Sequence, residues 1–194
     1  MSPTAAAGER CRSVSEGQHQ MATVEIPTAR LTLLLQTPDE VLAQVEELSP
    51  ADRAEVSPDW IARVRATAAG DPWALGFTAV ERASGSVVGS CGFKGPPDAD
   101  GVVEISYGTN PQYRGRGYAT EAARALAEFA FASGRVRLVC AHSRPENTAS
   151  ARVLENCGFR LVGQVTDPED GLVCRWERGR EQAEPDRVLS RGPC

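Results

Sequence analysis

The chain has 194 residues, of which 41% are hydrophobic and 24% are charged, and its formal net charge is −5. That balance is typical of a globular domain and argues against general disorder. The acidic total argues against a broad nucleic-acid-binding surface, because such surfaces gather Lys and Arg side chains against phosphates. Six scattered cysteines, with no CxxC pair and no histidine at ligand spacing, predict neither a metal site nor a disulfide framework.

Composition also predicts where the folded unit begins and ends. Residues 1–24 and 178–194 are rich in small, polar and charged residues without hydrophobic periodicity, so we predict a flexible tail at each end. Residues 25–177 then form a single domain of common size. No apolar run approaches the roughly 18 residues of a membrane span, and no signal-peptide stretch is visible, so we expect a cytoplasmic protein without membrane contacts.

The first half of this domain is predicted to contain a strand, two helices and two further strands. Leu31–Leu35 is an apolar strand. Thr37 and Ser57 are each followed by Pro and Asp, a typical start of a helix, and apolar residues then recur at helical spacing. Trp73–Val80 and Val87–Phe93 are rich in strand-forming residues, and a short segment containing Ser and Gly predicts a hairpin turn between them.

The second half is predicted to alternate strands with helices. Val102–Thr109 is a strand whose side chains alternate between two faces. Tyr118–Ser133 and Asn147–Cys157 have the apolar stripe of amphipathic helices, and a glycine follows each of them. The remaining strands are predicted over Val136–His142, Phe159–Val165 and Leu172–Trp176.

The loop between the strand Val102–Thr109 and the next helix has the composition of an anion-binding site. Its run Arg114-Gly115-Arg116-Gly117 places two glycines where the loop becomes the helix. Glycine allows close approach of the backbone and left-handed dihedral angles, so that successive N–H groups can point in one direction. Together with the partial positive charge of a helix N-terminus, these donors suit a pyrophosphate. The alternative is an ordinary tight turn with solvated arginines.

Two motifs in this half of the chain resemble those of the GNAT superfamily of N-acetyltransferases. Gln112-x-x-Gly115-x-Gly117 matches its [Q/R]xxGx[G/A] cofactor signature, between a strand and a helix. Further on, Ala141–Phe159 is similar to the PENxxSxxVLExxGF stretch of the branch that contains ribosomal-protein and amino-acid acetyltransferases. The resemblance covers roughly residues 28–176.

The resemblance implies an α/β (α+β) fold with helices on both faces of a mixed, mostly antiparallel sheet of about seven strands. The sheet is expected to splay at its centre, between Val102–Thr109 and Val136–His142. Acetyl-CoA would lie in that gap as cosubstrate, and the amine would attack its thioester directly, without an acyl-enzyme. The residues that the resemblance implies as cofactor contacts are Tyr107, Gly108, Thr109, Gln112, Arg114, Gly115, Arg116, Gly117, Tyr118, Asn147 and Ser150.

The candidate general base is Glu104, because a protonated amine must lose a proton before it attacks and the family often carries an acidic base in this strand. A solvent-facing or salt-bridged glutamate is the alternative explanation, and His142, at the end of a strand beside the gap, is the second-choice base. Many family members protonate the leaving thiolate with a Tyr of the last helix, but Leu154 stands at that position. Ser150 is therefore the candidate that assists the thiolate, while Asn147 would bind the pantetheine arm or merely cap the helix.

We therefore expect an acetyl-CoA-dependent N-acetyltransferase that acts on a protein N-terminus or on a small molecule such as an amino acid or a drug-like amine. A non-catalytic acyl-CoA-binding regulatory module is the alternative. Binding of RNA through Arg114 and Arg116 is a remote third case, because the chain is acidic and no aromatic residues are interleaved with these arginines. The acceptor and the acyl-chain length cannot be inferred from these motifs, and the sequence leaves a homodimer open.

Overall fold

A computed structural model describes residues 24–54, 56–67, 70–168 and 171–180. Its strands are β1 (Glu25–Pro27), β2 (Leu31–Leu35), β3 (Phe77–Glu81), β4 (Val87–Phe93), β5 (Val102–Thr109), β6 (Leu138–Ser143), β7 (Arg160–Asp167) and β8 (Gly171–Gly179). Its helices are α1 (Pro38–Glu47), α2 (Pro50–Ala54), α3 (Pro58–Ala66), α4 (Tyr118–Ala132) and α5 (Thr148–Asn156), and a 3-10 turn covers Pro111–Tyr113. Within these ranges, no helix is both long and apolar enough to cross a bilayer.

The strands form one sheet in the order β1-β2-β3-β4-β5-β6-β8-β7. Neighbouring strands are antiparallel except β5 and β6, which run parallel. Those two strands pair only from Val102 opposite Leu138 to Glu104 opposite Cys140, while β5 continues beyond Glu104 paired with β4 alone. The sheet is therefore splayed at its centre, which confirms the predicted mixed architecture.

Helices cover both faces of the sheet. On one face, Val103 and Ile105 of β5 are buried in the same core as the apolar stripe of α4, and α5 packs beside α4 and β6. The side chains of Glu104 and Ser106 alternate with these and point to the opposite face. There, α1 and α3 lie over the sheet and share a cavity with β4 and β5. Because β5 and β6 are parallel, α4 and α5 both begin at the carboxyl edge of the splay.

Several element boundaries differ from those predicted by the sequence pattern. β3 begins at Phe77, and Trp73 lies before it in a turn, where the Asp71 side chain accepts a hydrogen bond from its backbone N–H at 2.9 Å. The short strand β1 and the single-turn helix α2 were not predicted, because neither is long enough to show a hydrophobic period.

The last strand extends beyond the predicted domain boundary at residue 177. β8 continues to Gly179, and the side chain of Arg178 is buried. Its guanidinium pairs with Glu128 of α4 at 2.5 Å and lies over the ring of Phe131. The composition placed Arg178 in a polar tail, but in the structure its charged side chain is part of the packing between α4 and the sheet. The rest of the predicted tails, residues 1–23 and 181–194, lies outside the described residues.

Candidate active site

The loop before α4 has the backbone geometry of an anion-binding site. Gly115 and Gly117 have φ angles of +74° and +81°, in the left-handed region where side chains are strained. Gly117 is the N-cap of the 15-residue helix α4. Among the described residues, no acceptor is found for the backbone N–H groups of Gly115, Arg116 and Gly117. Exposed N–H donors at a helix N-terminus favour a bound phosphate, as the sequence motif predicted.

The loop and the first turn of α4 are held in place by residues that the motifs did not indicate. The guanidinium of Arg30, in the turn between β1 and β2, donates from Nη1 to the carbonyl of Arg116 at 2.9 Å. Its Nε pairs with Glu121 in the first turn of α4 at 2.8 Å. Thr28 donates its hydroxyl to the same carboxylate at 2.6 Å. Burial alone would raise the pKa of Glu121, but the hydrogen bonds from Thr28 and Arg30 outweigh it and lower the pKa below its ordinary value.

At the point where the strands separate, a carboxylate and an imidazole are in contact. Glu104 and Cys140 are register partners, and His142 follows Cys140 on the same face of β6. The Oε1 atom of Glu104 lies 3.0 Å from Nδ1 of His142 and 3.0 Å from Nζ of Lys94. The two residues that the sequence offered as rival bases therefore form a pair, and Glu104 is salt-bridged, as the alternative explanation allowed.

The contact between Glu104 and His142 determines which nitrogen of the imidazole is available. Facing a carboxylate, Nδ1 carries the proton and donates it, so the lone pair of the neutral ring is on Nε2. The Nε2 atom is buried and has no hydrogen-bond partner among the described residues. An acceptor nitrogen without a partner, inside a splayed sheet, is suited to take a proton from a ligand.

On the other face of β5, a phenol and a hydroxyl are hydrogen-bonded. The OH of Tyr107 and the Oγ of Ser150, in the first turn of α5, are 2.9 Å apart. Burial raises the pKa of Tyr107 to about 12, so its phenol stays protonated and able to donate. Leu154, one turn further along α5, is fully buried in the core. The helix thus carries a buried leucine at the position where the family resemblance led us to look for a tyrosine, while the strand supplies a phenol beside Ser150.

The remaining predicted contact residues lie along the carboxyl edge of the splay. Asn147 is the N-cap of α5, and its Oδ1 accepts a hydrogen bond from the backbone N–H of Ser150 at 3.1 Å, so its role as a ligand contact stays a prediction. Tyr118 begins α4, with its ring buried and its hydroxyl donating to Glu81. That bond raises the pKa of Tyr118. Two further predicted contacts lie at the end of β5, Gly108 and Thr109, and two lie in the loop after it, Gln112 and Arg114.

A cavity of about 1120 Å³ opens on the face that carries Glu104. Its floor consists of β4 and β5, and its roof consists of α1 and α3. Lys94, the salt-bridge partner of Glu104, is part of the lining, as is Ser106, two residues after Glu104 on the same strand. Glu104 and His142 are not themselves part of the lining, but the contact of Glu104 with Lys94 places the pair next to the cavity, at its boundary with the splay.

Comparisons with known proteins agree with this architecture. The protein-family model of the acetyltransferase (GNAT) domain matches residues 28–160 of this chain. The uncharacterised N-acetyltransferase YjdG of Bacillus subtilis (strain 168) is 35% identical over 91 residues, which are 47% of this chain and 52% of that protein. The chain thus spans about half the length of this curated relative.

Two solved structures show the same fold at low identity. The aminoglycoside acetyltransferase AAC(6')-Ib, in complex with coenzyme A and kanamycin, gives a TM-score of 0.59 at 23% identity over 78% of this chain and 96% of that one. RimL, a ribosomal alpha-N-protein acetyltransferase in complex with coenzyme A, gives a TM-score of 0.61 at 19% identity, over 80% of this chain and 98% of that one. With the splayed sheet, the glycine loop and the family match over residues 28–160, the chain belongs to the GNAT acetyltransferase family.

Proposed function

We propose that this chain transfers an acetyl group from acetyl-CoA directly to an amine, either of a protein N-terminus or of a small molecule. The observation that carries the proposal is the splay between β5 and β6 beyond Glu104. Donors for an anion lie at its carboxyl edge, and an unpartnered imidazole nitrogen lies at its base beside a cavity. A thioester and an amine that approach from opposite faces would meet in this gap.

The loop residues fit the diphosphate of acetyl-CoA. The N–H groups of Gly115, Arg116 and Gly117 would hold its phosphate oxygens, and the absence of a Cβ at Gly115 leaves the approach open. Arg114 and Arg116 add positive charge on the same exposed loop. When bound, acetyl-CoA supplies an activated acyl carbon, and everything else in the reaction falls to the side chains around the gap.

The pair of Glu104 and His142 is the proposed base. An amine arrives protonated near neutral pH and must lose that proton to become a nucleophile. In this proposal Nε2 of His142 accepts the proton, and the carboxylate of Glu104 fixes the ring through Nδ1 and balances the charge that develops on it. Lys94 pairs with the same carboxylate oxygen, Oε1, and helps to hold it in place.

The proposed donors to the departing thiolate are Tyr107 and Ser150. Both groups are neutral hydroxyls on the face of β5 opposite to Glu104, and because one donates to the other, the second O–H of the pair is the one left to donate to the thiolate. The base and the donors then lie on opposite faces of β5, so that one can face the attacking nitrogen and the other the leaving sulfur of the same acyl carbon. A preorganised donor aimed at developing charge lowers the barrier without reorganisation during the step.

The decisive experiment is acetyl-CoA turnover with a panel of primary amines, followed as release of free coenzyme A thiol. We expect thiol release that depends on the amine and appears together with an acetylated amine by mass spectrometry. Acetyl-CoA binding without turnover on a panel that spans amino acids, peptides, polyamines and aminoglycosides would contradict the proposal and favour a regulatory acyl-CoA-binding module.

A further inference from the structure

The cavity above Glu104 exists because small residues alternate on two paired strands. Ser90 of β4 is the register partner of Gly108 of β5, and Gly92 is the partner of Ser106. All four point to the same face, so the floor has almost no side-chain volume. The space between sheet and helices is therefore left for a ligand, and the side chains of the roof decide what it is.

The roof presents an arginine from α3 to this space. Trp60 and Arg63 are three residues apart on α3 and both line the cavity. Val64, next to Arg63, is buried in the core and anchors the helix. Among the described residues, the guanidinium of Arg63 forms no ion pair. Its charge is therefore available to a ligand.

The lining has the opposite charge to the whole chain. Among the described residues that line the cavity, Arg63 and Lys94 are the only charged ones, and no Asp or Glu is present. Glu104, at the boundary, already faces Lys94 and His142. An acidic chain of net charge −5 thus has a cavity with an excess of positive charge. Such a local reversal favours ligands with the complementary charge.

We infer that the acceptor is an amine that also carries a carboxylate, with the carboxylate directed to Arg63. This inference rests on the proposed function, because it names the substrate class of the same site. The planar guanidinium of arginine binds carboxylates through two parallel hydrogen bonds, which makes it selective as well as attractive. A free α-amino acid and an N-terminal peptide with acidic residues share this chemistry and differ in the distance from amine to carboxylate.

Polycationic acceptors do not suit this cavity. A polyamine or an aminoglycoside carries several ammonium groups, and only one of them is deprotonated for attack. The others would face Arg63 and Lys94 without a lining carboxylate to balance them. Like charges repel one another at close range, so these amines should be poor acceptors.

The test compares matched acceptors with and without the carboxylate. The amino-acid arm uses L-alanine against L-alaninamide, and the peptide arm uses Ser-Asp-Glu-amide against Ser-Asn-Gln-amide, with spermidine as the polycation. In at least one arm we expect the carboxylate to raise kcat/KM about tenfold, the size of a charge-assisted hydrogen bond. The arm that shows the larger ratio identifies the source of the carboxylate.

A matched pair of variants assigns the effect to the roof. Arg63→Gln should reduce the ratio within that arm to about twofold or less. Arg65→Gln, an exposed arginine of the same helix that does not line the cavity, should leave the ratio unchanged. Equal use of both members of each pair, a preference for spermidine, or a ratio that survives Arg63→Gln overturns the inference while the proposed function stands. Absence of turnover with every amine, despite acetyl-CoA binding, overturns the proposed function itself.

Discussion

The two sides of the splay offer a ligand different kinds of contact. On the loop side, the three consecutive N–H groups from Gly115 to Gly117 have no acceptor among the described residues, and their positions depend on backbone angles. On the cavity side, the lining comes from α1, α3, β4 and β5, and side chains such as Trp60, Arg63 and Lys94 give it its chemistry. One site is made of a short run of backbone, and the other of side chains far apart in the chain.

The two sites therefore differ in how far amino-acid substitutions can change the ligand that each would bind. A site made of backbone donors suits a group common to every reaction, because it varies little when side chains are replaced. A lining made of roof side chains can be altered residue by residue while the sheet below keeps its shape. In the proposed function, the donor of the acetyl group would be fixed by the fold, and the acceptor would be set by a few positions on α1 and α3.

The largest expected effect is at the boundary between the two sites. If Nε2 of His142 takes the proton, His142→Ala should lower kcat by about 10²–10⁴ and remove the acidic limb of the pH–rate profile. Glu104→Gln should lower kcat within the same range, because the ring loses the carboxylate that orients it. Acetyl-CoA affinity, measured by calorimetry, should barely change in either variant.

A double-mutant cycle sharpens this assignment. Residues that act as one unit lose little more when both are removed, so the double variant should be about as slow as the slower single variant. If the losses multiply, the two residues act in separate steps. If His142→Ala keeps a wild-type pH profile while Glu104→Gln does not, Glu104 or a water beside it is the base.

The second effect concerns the face of β5 that carries the phenol. Tyr107→Phe and Ser150→Ala each remove one member of a hydrogen-bonded pair. Loss of one preorganised donor costs at most about 10²–10³ in rate, and less where water substitutes. We expect reductions in kcat with unchanged acetyl-CoA affinity, determined by steady-state kinetics. A change confined to the KM for acetyl-CoA would show that the pair binds the cosubstrate and does not assist the thiolate.

The third effect breaks the backbone site. Gly117→Val introduces a β-branched side chain at a φ of +81° and places its Cβ 3.4 Å from Nη2 of Arg30. The loop must then move, and acetyl-CoA affinity should fall about tenfold. Gly85→Val is the matched control, since Gly85 also has a left-handed φ, of +70°, with open space around it, but lies in the hairpin between β3 and β4. Equal affinity of both variants would contradict the anion site.

The position of the glycine loop and most of the sheet could be predicted from the sequence because their signals are local, whereas binding of an anion there stays a prediction. Strands Val87–Phe93 and Val102–Thr109 have the bounds that their patterns indicate, and the loop glycines are adjacent in sequence. Glu104 was found as a polar residue in an apolar strand. The contact of Glu104 with His142 was not predicted, because it depends on the parallel register of β5 with β6. A one-residue shift would turn every side chain of a strand to the other face.

The cavity could not be predicted for the same reason. Arg63 follows an ordinary amphipathic helix pattern, in which an arginine is expected to face solvent. In the structure Arg63 is exposed and also lines the cavity, because α3 packs over the Ser and Gly positions of β4 and β5. A weak signal was present in the sequence, since Ser90, Gly92, Ser106 and Gly108 alternate with larger residues in two predicted strands.

The smallest effect concerns the residues that hold the loop in place through Arg30. Glu121 accepts hydrogen bonds from Thr28 and Arg30, and Arg30 in turn holds the carbonyl of Arg116. Glu121→Gln keeps the shape of the side chain and removes its charge. We therefore expect the free energy of unfolding to fall by about 1 kcal/mol at neutral pH. That figure is at the low end for hydrogen bonds to a charged group, because this group lies near the surface. Glu155→Gln, exposed on α5, is the control and should change little.

The pH dependence of this loss has a definite sign. The pKa of Glu121 in the fold is lowered from 4.5, so the folded state favours the ionised carboxylate. The stability it contributes is fully present above 4.5 and is lost as the pH falls through the lower folded value. Urea unfolding of wild type and Glu121→Gln at successive pH values should therefore give curves that differ at neutral pH and converge in acid. A difference that persists in acid would mean that the glutamine disturbs packing, and that the ionised carboxylate is not what holds Arg30 behind the loop.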